Sequence, residues 1–138
     1  FPTMLEGIAA LDRQVMLYLK RGKNTIDQII DIYAPSSDGN NTSSYKSYLS
    51  QYTGLGVKEK IDGSNFEIMR KLIQGIINHE NGDAARAVSG DDVMRALAMN
   101  RGKVYSPNNT SQVIRLDVQQ KPGSDILAQL AGMQQIPG

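Results

Sequence analysis

The chain has 138 residues, 40% apolar and 21% charged, with a formal net charge of +1 and no cysteine or tryptophan. That length suits one domain with a real core and is too short for two comfortable ones. Near-neutral charge and sparse aromatics argue against a specific nucleic-acid partner, and the absence of cysteine excludes disulfide and thiolate-zinc scaffolds while fitting a reducing compartment.

No run of about 18 apolar residues occurs, so no membrane span is expected. The sequence opens Phe-Pro-Thr-Met without an initiator methionine or a charged-then-apolar leader, the pattern of a fragment or processed product. Thr3-x-x-Glu6 reads as a capping box opening a first helix. Leu5, Ile8, Leu11, Val15, Met16 and Leu19 form its apolar face, with Asp12 turned outward. Lys20 and Arg21 suit the last turn, and Gly22 ends it. A second helix, Ile26–Tyr33, starts at Asn24 or Thr25 and buries Ile26, Ile29, Ile30 and Tyr33. It is too short to stand alone and is expected to lean on the first.

The sequence from Asn24 to Tyr45 organises the rest. Pro35 stops the second helix, the turn-formers from Ser36 to Asn41 follow, and Thr42 is placed to cap a third helix reaching Tyr52. Tyr45, Tyr48, Leu49 and Tyr52 lie on adjacent faces of that helix. Ser64-x-x-Glu67 reads as a second capping box. Phe66, Met69, Leu72, Ile73, Ile76 and Ile77 then keep helical register up to Asn81-Gly82. Gly75 inside this helix marks a close crossing. A fifth helix is expected from Asp91 or Asp92 to Asn100.

Beyond Arg101 the character changes. Gln112 to Val118 alternates as a strand, and Ser124 starts a last short helix through Ile126, Leu127 and Leu130. A lone strand is unstable, so it is expected to pair with another subunit or to belong to an arm docked on a partner. The reading is mainly α: a compact five-helix bundle over residues 1–103, and an extended C-terminal arm over 104–138 with one strand and a short helix.

Chemistry-bearing patterns are few. His79-Glu80 resembles half of a zinc helix, but a second ligand histidine would fall at position 83, which is Asp83, and the chain has one histidine. Asp38-Gly39-Asn40-Asn41-Thr42 resembles the start of a calcium loop, yet Ser43 and Leu49 occupy the positions that need glycine and a bidentate acid. A turn with a helix cap is the simpler reading. No phosphate loop, nucleophile elbow or Cys/His pair occurs, so no metal or cofactor is expected.

Glu80 is the acid in an unusual place. A helix C-terminus disfavours a carboxylate, which suits a general acid. An exposed glutamate paired with a neighbouring base is the structural alternative. Asp31, Asp38 and Asp83 are candidates for a second carboxylate in glycoside chemistry. Lys20, Arg21 and Lys23 form a small basic spot; any DNA binding there should depend steeply on salt and vanish at moderate salt.

Residues 1 to about 85 resemble a family of bacteriophage virion-associated proteins. The resemblance rests on Phe1, Pro2, Gly7, Ala10, Leu11, Thr25 and Ile26, then on the corner and turn at Ala34, Pro35, Asp38, Asn40, Asn41, Thr42 and Tyr45. It resumes in the Ile76-Ile77-x-His79-Glu80-Asn81-Gly82 segment. Tyr33 stands where the family usually has Trp, Ser36 replaces a second proline, and the family's upstream Asn-Pro-Gly-Asn segment is not in this sequence. The resemblance implies a structural or ejected component of a phage particle, made in the bacterial cytoplasm and binding other virion proteins in multiple copies. The family is loosely similar to lysozyme-like lytic transglycosylases, whose catalytic acid often sits in a helix-ending Glu-Ser-Gly. That implies a lysozyme-like bundle and, as the alternative function, peptidoglycan cleavage with Glu80 as general acid.

Overall fold

A computed structural model describes residues 3–107 and 113–115. Five helices carry the fold: α1 (Met4–Lys20), α2 (Ile26–Tyr33), α3 (Thr42–Thr53), α4 (Phe66–Asn81) and α5 (Gly90–Asn100). Short 3-10 helices, Ser36–Asp38 and Gly82–Ala87, follow α2 and α4. Each α-helix starts at a side chain that accepts from an otherwise orphaned amide. Those residues are Thr3 (from Glu6 N–H, 3.0 Å), Thr25 (from Gln28, 3.1 Å), Asn41 (from Ser44, 3.1 Å), Asn65 (from Ile68, 3.0 Å) and Ser89 (from Asp92, 3.1 Å).

Two of these caps correct the sequence reading by one residue. Asn41, not Thr42, caps α3, and the Thr42 hydroxyl instead donates to Ala34 O at 3.0 Å, tying α3 to the proline corner. Asn65, not Ser64, caps α4, while the Glu67 carboxylate accepts from Arg70. In both places two good capping residues are adjacent, and composition does not choose between them. The Ser89/Asp92 box begins α5 at Gly90, one turn's edge earlier than expected.

α4 is the hub, packing against α3, α5 and α1, while α1 lies mainly on α5. Met69, Leu72, Ile73 and Ile76 of α4 are fully buried with Ile26, Ile29 and Ile30 of α2, Tyr45 and Leu49 of α3, and Val93 and Leu97 of α5. Gly75 is the expected close crossing: a Cβ there would stand 2.8 Å from Leu49 Cδ2 and 3.2 Å from Tyr52 Cδ2. The main helical neighbour of α2 is α3, not α1, because the proline corner folds the two back on each other.

Asp12 is a larger correction. It is wholly buried rather than turned outward. Arg101 donates to both of its carboxylate oxygens, at 2.7 and 3.2 Å, and Asn100 Nδ2 donates at 2.8 Å. Asn100 also bonds Ala9 O at 2.8 Å, and the Arg101 guanidinium lies 5.2 Å from the Phe66 ring centroid. First helix, last helix and the start of α4 are fastened at one point.

Val113–Arg115, within the strand expected over Gln112 to Val118, pairs inside the chain and not with another subunit, which corrects the first of the two expectations for it; the rest of the expected arm lies outside the described residues. β1 (Lys103–Tyr105) pairs antiparallel with β2 (Val113–Arg115), Val104 facing Ile114. The boundary drawn between residues 103 and 104 thus falls inside β1, which packs on α5. The short helix expected from Ser124 lies outside the described residues.

Candidate functional site

The proline corner with the start of α3 and the end of α4 meet around His79 and Glu80. The proline corner and the Asn41 cap set the angle of α3, which sends Tyr45 inward to 1% exposure. Its ring stacks on His79 of α4, centroids 3.7 Å apart and planes 20° apart. Tyr48 lies tilted against His79 at 5.6 Å and stacks on Tyr52 at 5.9 Å, giving an aromatic row along α3 that ends on α4.

α4 stops next to this row. Asn81 Nδ2 donates to Ile77 O at 2.8 Å, and Gly82 turns the chain with φ +54°, where a side chain would be strained. Glu80 is left with its side chain 43% exposed and one carboxylate oxygen 3.9 Å from His79 Nδ1. Its buried side is lined with phenols. Burial pushes the Tyr45 hydroxyl well above the ordinary tyrosine range, and the Glu80 carboxylate adds to that. Burial also raises Tyr33, with Glu80 and then Tyr18 contributing. Tyrosines from α2 and α3 therefore lie near one carboxylate from α4. The Tyr45 hydroxyl is buried and has no hydrogen-bond partner.

Family models, curated proteins and solved structures offer no match to this chain.

Chemically, Glu80 is a carboxylate with phenols on one side and solvent on the other, able to exchange a proton or accept from a ligand hydroxyl. The three candidates for a second carboxylate are each placed otherwise. Asp31 bonds Lys46 at 2.7 Å, Asp83 faces solvent 3.9 Å from Arg86, and Asp38 is exposed in the 3-10 helix. No hydrogen bond joins any of them to Glu80 among the described residues. Nor do three His, Cys, Asp or Glu side chains gather as a metal site among those residues. The Asp38–Thr42 stretch is the turn and cap of the simpler reading: Gly39 takes φ +84°, Asn40 Nδ2 donates to Pro35 O at 3.1 Å, and Asn41 caps α3.

An open depression of about 800 Å³ lies at this corner, away from Glu80, lined by Asp27, Asp31, Asn40, Asn41, Thr42 and Lys46 among others. Lys46 Nζ bridges Asp31 (2.7 Å) and Asp27 (2.9 Å). The hydrogen bond from Lys46 holds the Asp27 carboxyl below its ordinary range against the opposing effect of burial, helped by the charges of Lys46 and Lys58. The same bonds, Asp31 first, raise Lys46. The sequence reading missed this cluster. Its one available signal was the i, i+4 spacing of Asp27 and Asp31 on the outer face of α2.

Proposed function

We propose that this chain is a structural or ejected component of a bacteriophage particle that binds other virion proteins. What supports the reading is the contact between Tyr45 and His79: the corner-and-turn pattern and the His-Glu-Asn-Gly pattern, far apart in sequence, belong to one packed unit. Thr25, Pro35, Asn41, Thr42 and Gly82, all part of the resemblance, are residues that cap, turn or terminate the elements which bring the two together. Within the particle the five-helix domain would be the folded body, and the sequence after β2 would carry the contacts to neighbouring proteins.

Deleting residues 116–138 tests this while keeping the β1–β2 pair. The shortened chain should retain its helical circular dichroism and cooperative unfolding yet be missing from purified particles. Normal incorporation of the deletion variant would reject the proposed role of the tail, and absence of the intact chain from particles would reject the function.

A second reading, a lysozyme-like peptidoglycan-cleaving domain, is favoured by the surroundings of Glu80. A half-exposed acid backed by the buried Tyr45 phenol and beside His79 is suited to proton transfer to a glycosidic oxygen. A zymogram on purified cell wall tests it. Clearing by the natural chain and none by Glu80→Gln is the expected pair of results; equal clearing by both removes Glu80 from the mechanism, and no clearing by either removes the activity.

A further inference from the structure

The connector between α3 and α4 is strapped across the C-terminal end of α1. Asp27 N–H donates to Val57 O at 2.9 Å and Ile61 N–H donates to Asn24 O at 2.8 Å. Ile61 is buried, Val57 packs against the core, and Gly63 sits so close to α1 that a Cβ there would lie 2.9 Å from Leu19 Cδ1. Lys58 and Lys60 are therefore held between anchored points, beside the basic spot that ends α1. Lys23 and Lys60 are the immediate chain neighbours of Asn24 and Ile61, the two residues joined by the 2.8 Å bond.

Lys20, Arg21, Lys23, Lys58 and Lys60 are all exposed, and none forms a salt bridge among the described residues. Three carboxylates share the ledge, with Asp31 one turn further along α2, and each is engaged. Asp27 and Asp31 share the single ammonium of Lys46, at 2.9 and 2.7 Å. Glu59 accepts from Gly56 N–H at 3.0 Å, and Asp62 accepts from the Ser64 N–H and hydroxyl at 3.0 and 2.6 Å. Counting Lys46 with the five cations, and Asp27, Asp31, Glu59 and Asp62 against them, leaves an excess of two positive charges along the end of α1 and the connector. A chain whose formal net charge is only +1 thus carries a concentrated positive ledge that its sequence displays in two separate pieces.

We propose that this ledge binds the phosphate backbone of duplex nucleic acid without sequence selectivity. It offers charge and a single exposed apolar side chain, Leu17, one turn before Lys20 and Arg21. No apolar or aromatic residue lies between Lys20 and Lys23 or between Lys58 and Lys60, and the flanking Ile61 and Val57 are committed to the core. Attachment to a lipid surface draws on inserted apolar side chains as well as charge, whereas a phosphate backbone is held by charge alone. The proposal does not depend on a place in a phage particle.

Fluorescence anisotropy of the full chain with a labelled duplex of mixed sequence tests it. With about two phosphates neutralised, affinity should fall roughly 12-fold between 50 and 200 mM salt, and scrambling the duplex sequence should change nothing. Lys58→Glu/Lys60→Glu should weaken low-salt binding and flatten the salt slope, with Lys58→Gln/Lys60→Gln as the milder pair should the reversal unfold the chain. Arg86→Glu, which alters an exposed cation on the 3-10 helix after α4, should leave binding intact. Absence of binding at 50 mM salt overturns the proposal, as does an equal loss in Arg86→Glu. Tighter binding to phosphatidylglycerol vesicles than to the duplex, lost in the same double variant, overturns it in favour of a lipid partner.

Discussion

Asp12→Ala removes the fastening between the two ends of the helical domain. The Asp12 carboxylate is fully buried and receives both Arg101 guanidinium nitrogens as well as Asn100. Without it, a guanidinium whose side chain is only 11% exposed keeps the Leu97 carbonyl at 2.9 Å and the Phe66 face at 5.2 Å, and nothing of opposite charge. Breaking a buried pair from one side costs about 3–5 kcal/mol. Arg101 retains two of its contacts and Asn100 retains Ala9 O, so the lower end applies, about 3 kcal/mol. For a folded unit of this size that corresponds to a fall in Tm of roughly 12–15 °C. Urea unfolding followed by far-ultraviolet circular dichroism gives the number directly. Arg101→Met should be at least as damaging, since it leaves a buried carboxylate. Asp12→Leu/Arg101→Met should recover most of the loss, because neither charge is then stranded. Stability of Asp12→Ala within about 1 kcal/mol of the natural chain, or a double variant no better than the singles, would refute the reasoning.

Gly75→Ala gains about 1 kcal/mol of helix propensity but drives a methyl group to within 2.8 Å of Cδ2 of the fully buried Leu49. A net loss of about 1 kcal/mol is expected in urea unfolding, and a gain would show that α3 and α4 can move apart freely. Tyr45→Phe removes a buried hydroxyl that lacks a partner. Stability should hold or rise by up to about 1 kcal/mol, whereas a clear loss would mean that the hydroxyl donates to Glu80 in solution. The raised Tyr45 value contributes stability that is present below the ordinary tyrosine range and lost as pH rises through the folded value. Alkaline ultraviolet titration should therefore show phenols ionising late, together with unfolding. Asp27 has the opposite sign: its folded value is depressed, so its contribution is present above the ordinary aspartate range and lost as pH falls through the folded value. In Lys46→Met the Asp27 carboxyl should return to the ordinary range in a carbon NMR titration, and an unmoved midpoint would exclude Lys46 as the cause.

What could be read from sequence was local. Thr25 three residues before Gln28, Pro35 after Tyr33 and the apolar spacing of α4 are determined within a turn or two of chain, and the helices they imply are there. Asp12 exposes the limit. It falls in the stripe with Ile8, Val15 and Leu19, so periodicity alone would bury it, while its charge argued for solvent. The deciding partner, Arg101, is 89 residues away and leaves no mark on the pattern around Asp12. β1 was missed for a related reason: three residues are too few to alternate, and they become a strand only by pairing with Val113–Arg115. At Glu80 the sequence identified the acid and its helix end. The phenols of Tyr33 and Tyr45 arrive from two other helices, and only the packed chain brings them there. Lys58 and Lys60 join the basic spot by the same route, through the backbone bond from Ile61 to Asn24.

The bond between Asp12 and Arg101 also sets a schedule for synthesis. On the ribosome the N-terminal helix emerges with an acidic group on its inward face and must wait for its counter-ion to be made. At ordinary elongation rates that wait is roughly 4–18 s, during which the helix has no finished seat. Native α1 is therefore expected to be among the last elements to lock although it leaves the exit tunnel ahead of α2 to α5, and nascent chains stalled before residue 101 should be far more open to protease than those released just beyond it.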